Sequence, residues 1–154
     1  MNDMVKINLN DLKKLRDQTQ ASIADCRNAL EQSKGDYKSA IANLRKKGIE
    51  KAAKKEGRAT EQGIIDSYIH LNGKVGVLTE ILCETDFVAR TTEFKNLAHE
   101  ISMQVAAMNP KDVDALLKQE YIRDPKITIN ELVKSAIGKL GENIIVKKFT
   151  RFEI

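Results

Sequence analysis

A change of hydrophobic period marks residues 64–84, which read IIDSYIHLNGKVGVLTEILCE. Two runs with a two-residue period flank Asn72-Gly73, a dipeptide that readily adopts the positive φ angles of a tight type I′ turn. In the second run, one face of the strand is expected to carry Val75, Val77, Thr79, Ile81 and Cys83. The stretch therefore predicts an antiparallel hairpin whose more apolar face packs against helices.

Two helices and a last strand are predicted after this hairpin. The first helix spans about Glu93 to Met108 with Thr92 as its N-cap, and its buried stripe comprises Phe94, Leu97, Ala98, Ile101 and Val105. The second helix opens at the capping-box sequence Thr128-Ile-Asn-Glu131 and ends at Gly141. Together with a strand from about Asn143 to Phe152, these elements form an α+β core.

Three short helices are predicted before the hairpin, in residues 1–48. Ser22 and Asp36 are the expected N-caps of the second and third helices, and Gly48 is expected to end the third. The lysine-rich segment that follows indicates a basic linker. The predicted organisation is a three-helix domain over residues 1–48, a linker over 49–63 and the α+β core over 64–154.

The composition is that of a folded globular protein. The 154 residues are 42% hydrophobic and 31% charged, and no apolar run approaches the length of a membrane span. Cys26 and Cys83 match no metal-binding spacing and there are only two histidines, so a structural zinc site is not expected. Because the sequence also lacks GxxxxGK[ST], GxGxxG and a recognisable nucleophile–base pair, we expect neither an enzyme nor a cofactor.

The net charge of +4 is concentrated in one segment. Residues 45–58 contain seven basic and two acidic side chains, and the rest of the chain has a net charge of −1. Such a segment is typical of a solvated helical linker, and a ribosome- or RNA-associated binding module is the alternative. With no tryptophan and 5% aromatic residues, the chain has few side chains that could stack on the bases of single-stranded nucleic acid. We therefore expect no direct contact with nucleic acid.

The segment Glu84-Thr85-Asp86-Phe87-Val88 connects the second strand to the first core helix, and we expect it to be a loop. It places a bulky aromatic beside a carboxylate and contains few turn-forming residues. A phenylalanine in a loop usually folds back into the core. The alternative is an exposed anchor that inserts into a partner, and spacing alone leaves both open.

The run Cys83–Arg90 resembles the signature loop of the translation elongation factor Ts family. Other segments match in order along the whole chain, among them Leu15-Arg16, Asp25-Cys26, Gly35-Asp36, Gly57-Arg58-Ala59, Ile69-His70, Val75–Leu78 and Gly141–Ile144. This resemblance implies a ubiquitin-associated-like three-helix domain followed by an antiparallel sheet-plus-helices core.

The resemblance also implies a function, which is guanine-nucleotide exchange on elongation factor Tu in its GDP-bound and nucleotide-free forms. In the family, the aspartate and phenylalanine of the loop reach the GTPase domain of the partner and disturb its magnesium-binding region. These roles fall on Asp86 and Phe87, with Thr85 and Val88 in the same loop. The implied location is the cytoplasm, or alternatively an organelle matrix or stroma.

A second partner contact is implied for the N-terminal domain, through Arg16, Ile23, Ala24 and Arg27. The family typically reads Thr-Gly-Ala-Gly-Met-Met-Asp-Cys-Lys here, whereas residues 19–27 of this chain read TQASIADCR. Arg27 keeps the positive charge, and Ala24 supplies little apolar area. A paralogue that binds the partner without exchanging its nucleotide is therefore an alternative.

A small sheet with a modest core leaves one apolar face exposed, and a second subunit can cover that face. Short members of the family pair two copies, and this chain has room for one compact core. We expect a homodimer through the core domain, and the predicted face comprises Leu78, Leu82, Ile144, Val146 and Phe152.

Overall fold

The computed structural model describes residues 7–154 as seven α-helices and five β-strands. The first six residues of the predicted N-terminal domain lie outside this range. The elements in chain order are α1 (Leu9–Thr19), α2 (Ile23–Gln32), α3 (Tyr37–Ala53), β1 (Gln62–Ile69), β2 (Val75–Cys83), α4 (Asp86–Ala89), α5 (Thr92–Met108), α6 (Val113–Lys118), β3 (Glu120–Tyr121), β4 (Asp124–Thr128), α7 (Ile129–Leu140) and β5 (Ile144–Glu153). Three helices followed by an antiparallel sheet with helices confirm the predicted α+β class.

Short polar side chains start the N-terminal helices as predicted. Ser22 accepts a hydrogen bond from the backbone N–H of Asp25 at 3.1 Å, and Asp36 accepts one from Ser39 at 2.9 Å. These caps satisfy amide groups that have no partner within the helix. The three helices enclose a small core of Leu15, Cys26, Ala29, Leu30, Ala40 and Leu44.

Helix α3 does not stop at Gly48, and that prediction is wrong. The helix runs five residues further to Ala53, so the first part of the predicted 49–63 linker is helical. The α3 backbone at Gly48 instead lies against Gly138 of α7, where a built Cβ atom would be 2.8 Å from the Gly48 Cα, whereas a Cβ atom at Gly48 itself would meet nothing within 4 Å. Ala52, in the added turn, is buried in the core of the α+β part. The division into domains at residue 48 stays a prediction.

The main sheet has the antiparallel order β1-β2-β5, and α5 packs on one of its faces. The β2 residues predicted to share that face are buried or half-buried there, as is the whole predicted stripe of α5. The helix begins one residue earlier than expected. Thr91, rather than Thr92, is its N-cap and accepts a hydrogen bond from Phe94 N–H at 3.2 Å.

The turn between β1 and β2 is wider than the predicted type I′ turn. Only Gly73 has a positive φ, of 71°, and Asn72 keeps a negative φ. The Asn72 side chain instead accepts a hydrogen bond from the N–H of Lys74 at 3.1 Å. The loop closes where His70 N–H donates to Val75 at 2.9 Å, which gives the four-residue connection that a type I turn commonly supports.

The face predicted for dimerisation is partly wrong, because β5 contains an irregularity. Ile81 pairs with Val146 whereas the adjacent Glu80 pairs with Lys148, so Lys147 is an extra residue. One extra residue reverses which side chains point inward. Ile144 and Val146 are therefore buried in the core, and beyond the bulge Phe152 is 69% exposed on the outer face.

The capping box of α7 is present as predicted, and the helix ends at Gly141 with φ of 77°. Glu142 and Asn143 then lead into β5. Within residues 7–154, no helix combines the length and apolarity needed to cross a membrane. No cluster of three or more His, Cys, Asp or Glu side chains in that range is arranged to hold a metal ion.

Candidate functional site

The segment predicted as a loop is one helical turn, α4, between β2 and α5. Thr85 is its N-cap, and the Thr85 hydroxyl oxygen accepts a hydrogen bond from the N–H of Val88 at 3.4 Å. The absence of glycine and proline, together with this cap, allows the segment to be helical.

Phe87 lies on the outer side of this turn and is 83% exposed. The inner side is anchored, since Ala89 is buried and Val88 packs against the core. Of the two possibilities left open by the spacing, the structure places Phe87 on the surface. Aromatic side chains supply much of the energy of protein interfaces, so this exposed ring is a candidate contact residue.

Asp86 lies beside Phe87 and pairs with Arg90 at 2.9 Å. Both side chains are more than half exposed. Such surface pairs contribute little to stability, so the Asp86 carboxylate is accessible to a partner.

Two side chains next to the turn brace its start. Glu142 Oε2 accepts hydrogen bonds from the backbone N–H groups of Glu84 at 3.0 Å and Thr85 at 2.9 Å, and its Oε1 accepts the Thr85 hydroxyl. In return, Glu84 Oε1 accepts the N–H of Asn143 at 2.7 Å, and Glu84 Oε2 pairs with Arg58 at 3.1 Å. Sequence reasoning used Gly141–Ile144 as a family match but assigned Glu142 no role in the site.

Cys83 is a core residue with a fully buried side chain. Burial, followed by the negative charge of Glu142, raises the pKa of the Cys83 thiol. His70, the histidine directly after the neighbouring strand, cannot act as a base for this thiol, because Cys83 pairs with Gln62 at one end of the hairpin and His70 closes the turn at the other end.

The four residues predicted for the N-terminal contact, called the N-terminal surface below, lie on two helices that pack against each other. Arg16 lies on α1, and Ile23, Ala24 and Arg27 lie on α2, all with exposed side chains. These helices pack on α3, whereas α4 packs on β1, β2 and α5. The predicted site residues are therefore presented by two different parts of the fold.

Asp25, in the same helix as Arg27, joins α2 to α3. Its carboxylate binds the ammonium groups of Lys47 and Lys51, the latter at 2.9 Å. These two lysines hold the pKa of Asp25 well below its usual value. The ion pairs thus fix the helix that presents Ile23, Ala24 and Arg27.

Ion pairs within the chain involve most of the cationic side chains of the basic segment, residues 45–58. Of its seven cationic side chains, Lys47 and Lys51 face Asp25, Arg45 lies 3.4 Å from Asp124, and Arg58 binds Glu84. Four of the seven therefore have carboxylate partners within the chain, which favours an intramolecular role for them over phosphate binding.

Comparison with known proteins adds independent evidence. The family model for elongation factor TS matches residues 84–154, which include α4 and the Glu142 brace. A relative named elongation factor Ts from Thermoanaerobacter sp. (strain X514) is 41% identical, with 92% of each chain aligned. Another, from Fervidobacterium nodosum, is 39% identical over 97% of this chain and 99% of its own. The chloroplastic elongation factor Ts of Guillardia theta is 38% identical over 97% of this chain and 90% of its own.

These matches and the α+β architecture define a translation elongation factor. Within that class, the chain belongs to the elongation factor Ts family, which confirms the resemblance of residues 83–90. The alignments span 187 to 196 positions against 154 residues, so these relatives contain residues that this chain lacks.

Proposed function

We propose that this chain is a guanine-nucleotide exchange factor that binds elongation factor Tu and promotes release of GDP during translation elongation. The observation that carries the proposal is the exposed ring of Phe87 on a braced helical turn, next to the accessible carboxylate of Asp86. The family membership supports the same assignment, because the relatives are named as elongation factors.

The mechanism is reciprocal linkage and involves no covalent chemistry. A protein that binds the nucleotide-free partner more tightly than the GDP-bound partner must weaken GDP binding by the same factor. Phe87 is the wedge that favours the nucleotide-free arrangement, and Asp86 is the polar contact beside it. A bound Mg²⁺ is among the largest local charges in a nucleotide site, so disturbing its surroundings loosens GDP.

The N-terminal surface contributes affinity in this proposal. Arg16 and Arg27 supply positive charge, and Ile23 supplies an apolar side chain that is 53% exposed. Because Phe87 is on a different element, the two surfaces grip the partner at separate points. The proposed setting is the bacterial cytoplasm, with an organelle as the alternative, which the chloroplastic name of one relative supports.

The direct test measures release of a fluorescent GDP analogue from elongation factor Tu, with and without this protein. We expect release to be faster by about 5- to 150-fold, the usual range of an allosteric coupling. Elongation factor Tu without added protein is the control. Binding without acceleration would instead identify a paralogue that does not exchange nucleotide, and steep salt-dependent RNA affinity would favour the RNA-associated module.

We also propose that the protein acts as a homodimer through the outer face of the sheet. Five exposed apolar side chains lie there beside the half-buried Leu82, namely Ile65, Ile69, Leu78, Ile145 and Phe152. Contiguous apolar area of this kind on a sheet is typical of a subunit interface. This face replaces the predicted one, which included the buried Ile144 and Val146.

Leu78→Glu is expected to convert this dimer to a monomer. Leu78 is on the central strand and 50% exposed, so the substitution places a charge in the middle of the face without disturbing the core. Light scattering at tens of micromolar, roughly the range where weak dimers form, measures the change. Leu9→Glu, at an exposed leucine on α1, is the matched control. A parental protein that is monomeric at that concentration contradicts the proposal.

A further inference from the structure

Glu142 connects two segments that are distant in sequence. It follows Gly141, which ends α7 in the left-handed conformation, and it precedes β5. From there its carboxylate reaches residues 84 and 85, which lie 58 and 57 positions earlier in the chain. All three contacts are hydrogen bonds donated to a carboxylate, which are stronger than bonds between neutral groups.

These bonds orient the cap of α4. The Thr85 hydroxyl donates a hydrogen bond to Glu142. Its oxygen lone pairs therefore remain free to accept a hydrogen bond from the N–H of Val88. Glu142 therefore determines which way the Thr85 side chain faces, and Thr85 in turn closes the turn that carries Phe87.

The turn depends on this outside support. Helix α4 has four residues, far below the roughly 12 to 15 at which an isolated helix becomes even marginally stable in water. The reverse contacts, from Asn143 N–H and Arg58 to the Glu84 carboxylate, keep the two segments together on the other side. The start of α4 is thus held by side chains from outside its own helix.

We propose that Glu142 is a positioning residue that preorganises Phe87 for the partner. This role rests on the proposed exchange function. Without the carboxylate, the start of α4 loses three hydrogen bonds, and Phe87 must be ordered at the moment of binding. The cost of that ordering reduces nucleotide exchange, and Glu142 acts through the turn that it braces.

A matched control exists in the same chain. Glu131 accepts hydrogen bonds from the backbone N–H of Thr128 at 2.8 Å and from its hydroxyl at 3.3 Å, so it braces a helix start by the same chemistry. It does so at α7 and not at α4. Glu131→Ala removes a comparable brace without changing the turn of Phe87.

The experiment measures release of a fluorescent GDP analogue from elongation factor Tu by Glu142→Ala, Glu142→Gln and Glu131→Ala, with thermal unfolding measured in parallel. We expect Glu142→Ala to slow exchange about tenfold, the size expected when charge-assisted hydrogen bonds are lost. Glu142→Gln should restore part of the rate, because its amide oxygen can still accept from the two N–H groups. Glu131→Ala should lower the melting temperature and leave exchange at the parental rate.

Combining Glu142→Ala with Phe87→Ala shows whether Glu142 acts on exchange by positioning Phe87 or independently of it. If Glu142 acts through Phe87, Glu142→Ala adds little further slowing in the Phe87→Ala background. If the double variant is slowed by the product of the two single effects, the positioning role alone is overturned. The same conclusion follows if Glu142→Ala exchanges at the parental rate while Phe87→Ala is slow. Parental exchange by Phe87→Ala itself would overturn the wedge role of Phe87 together with this positioning role, whereas failure of the parent protein to accelerate GDP release would overturn the proposed function.

Discussion

Phe87→Ala is expected to slow GDP release from elongation factor Tu by about 5- to 150-fold, which corresponds to a coupling of about 1 to 3 kcal/mol. The ring is 83% exposed, so removing it takes little apolar area out of the core. The free energy of unfolding should therefore change by less than about 0.5 kcal/mol. Nucleotide release and thermal unfolding, measured on the same preparation, check both statements.

A second phenylalanine provides the control for this prediction. Phe94 is completely buried beneath the sheet, and Phe94→Ala is expected to cost about 3 to 5 kcal/mol of stability. Its effect on exchange should follow from unfolding alone. If Phe87→Ala were destabilised to a similar extent, or if it exchanged nucleotide at the parental rate, the wedge assignment would be wrong.

Asp86→Asn is the companion change at the same site. It keeps the shape of the side chain and removes the charge that faces both Arg90 and the solvent. Because exposed ion pairs contribute little to stability, the melting temperature should stay unchanged while exchange slows. Equal exchange by Asp86→Asn and the parent would assign the site to Phe87 alone.

The second large effect is expected where α3 crosses α7. Gly138→Ala should lower the free energy of unfolding by about 1 to 2 kcal/mol, although alanine normally favours a helix interior over glycine by about 0.5 to 1 kcal/mol. The reason is contact, since the new Cβ would lie 2.8 Å from the Gly48 Cα and 3.0 Å from its carbonyl oxygen. Both atoms belong to the backbone of α3, so relief requires the whole helix to move.

Gly48→Ala is the matched control for this crossing. A Cβ atom at Gly48 meets nothing within 4 Å, and this glycine also lies inside a helix. We therefore expect Gly48→Ala to raise the free energy of unfolding by about 0.5 to 1 kcal/mol. Urea denaturation at one fixed protein concentration compares the two variants. Changes of the same sign at both positions would contradict the close-approach explanation.

Features with local causes could be predicted from the sequence. The inward face of β2 and the buried stripe of α5 follow from periodicity, and the caps at Ser22, Asp36 and Thr128 follow from residues three positions apart. In each case the interacting groups are near neighbours along the chain, so the pattern contains the structural information. The signature run around Phe87 likewise identified the family before any contact was known.

Other features depend on residues that meet only when the chain has folded. The sequence at Gly48 is that of a helix stop, but Gly138 is its neighbour in space and the helix continues. The extra residue Lys147 in β5 reverses the pattern of inward and outward side chains, so Val146 is buried and Phe152 is exposed. Neither effect is visible in local spacing, because both arise from pairing with another element.

The site itself divides in the same way. The sequence by itself predicts that Glu84–Val88 connects β2 to the next helix, and the family resemblance groups Thr85, Asp86, Phe87 and Val88 as one predicted site. Only the tertiary structure decided that the ring of Phe87 faces the solvent, and only it brought Glu142 to Thr85 across 57 positions. The physical reason is that a four-residue helix cannot fix its own orientation, so the rest of the fold must supply the hydrogen bonds that hold it.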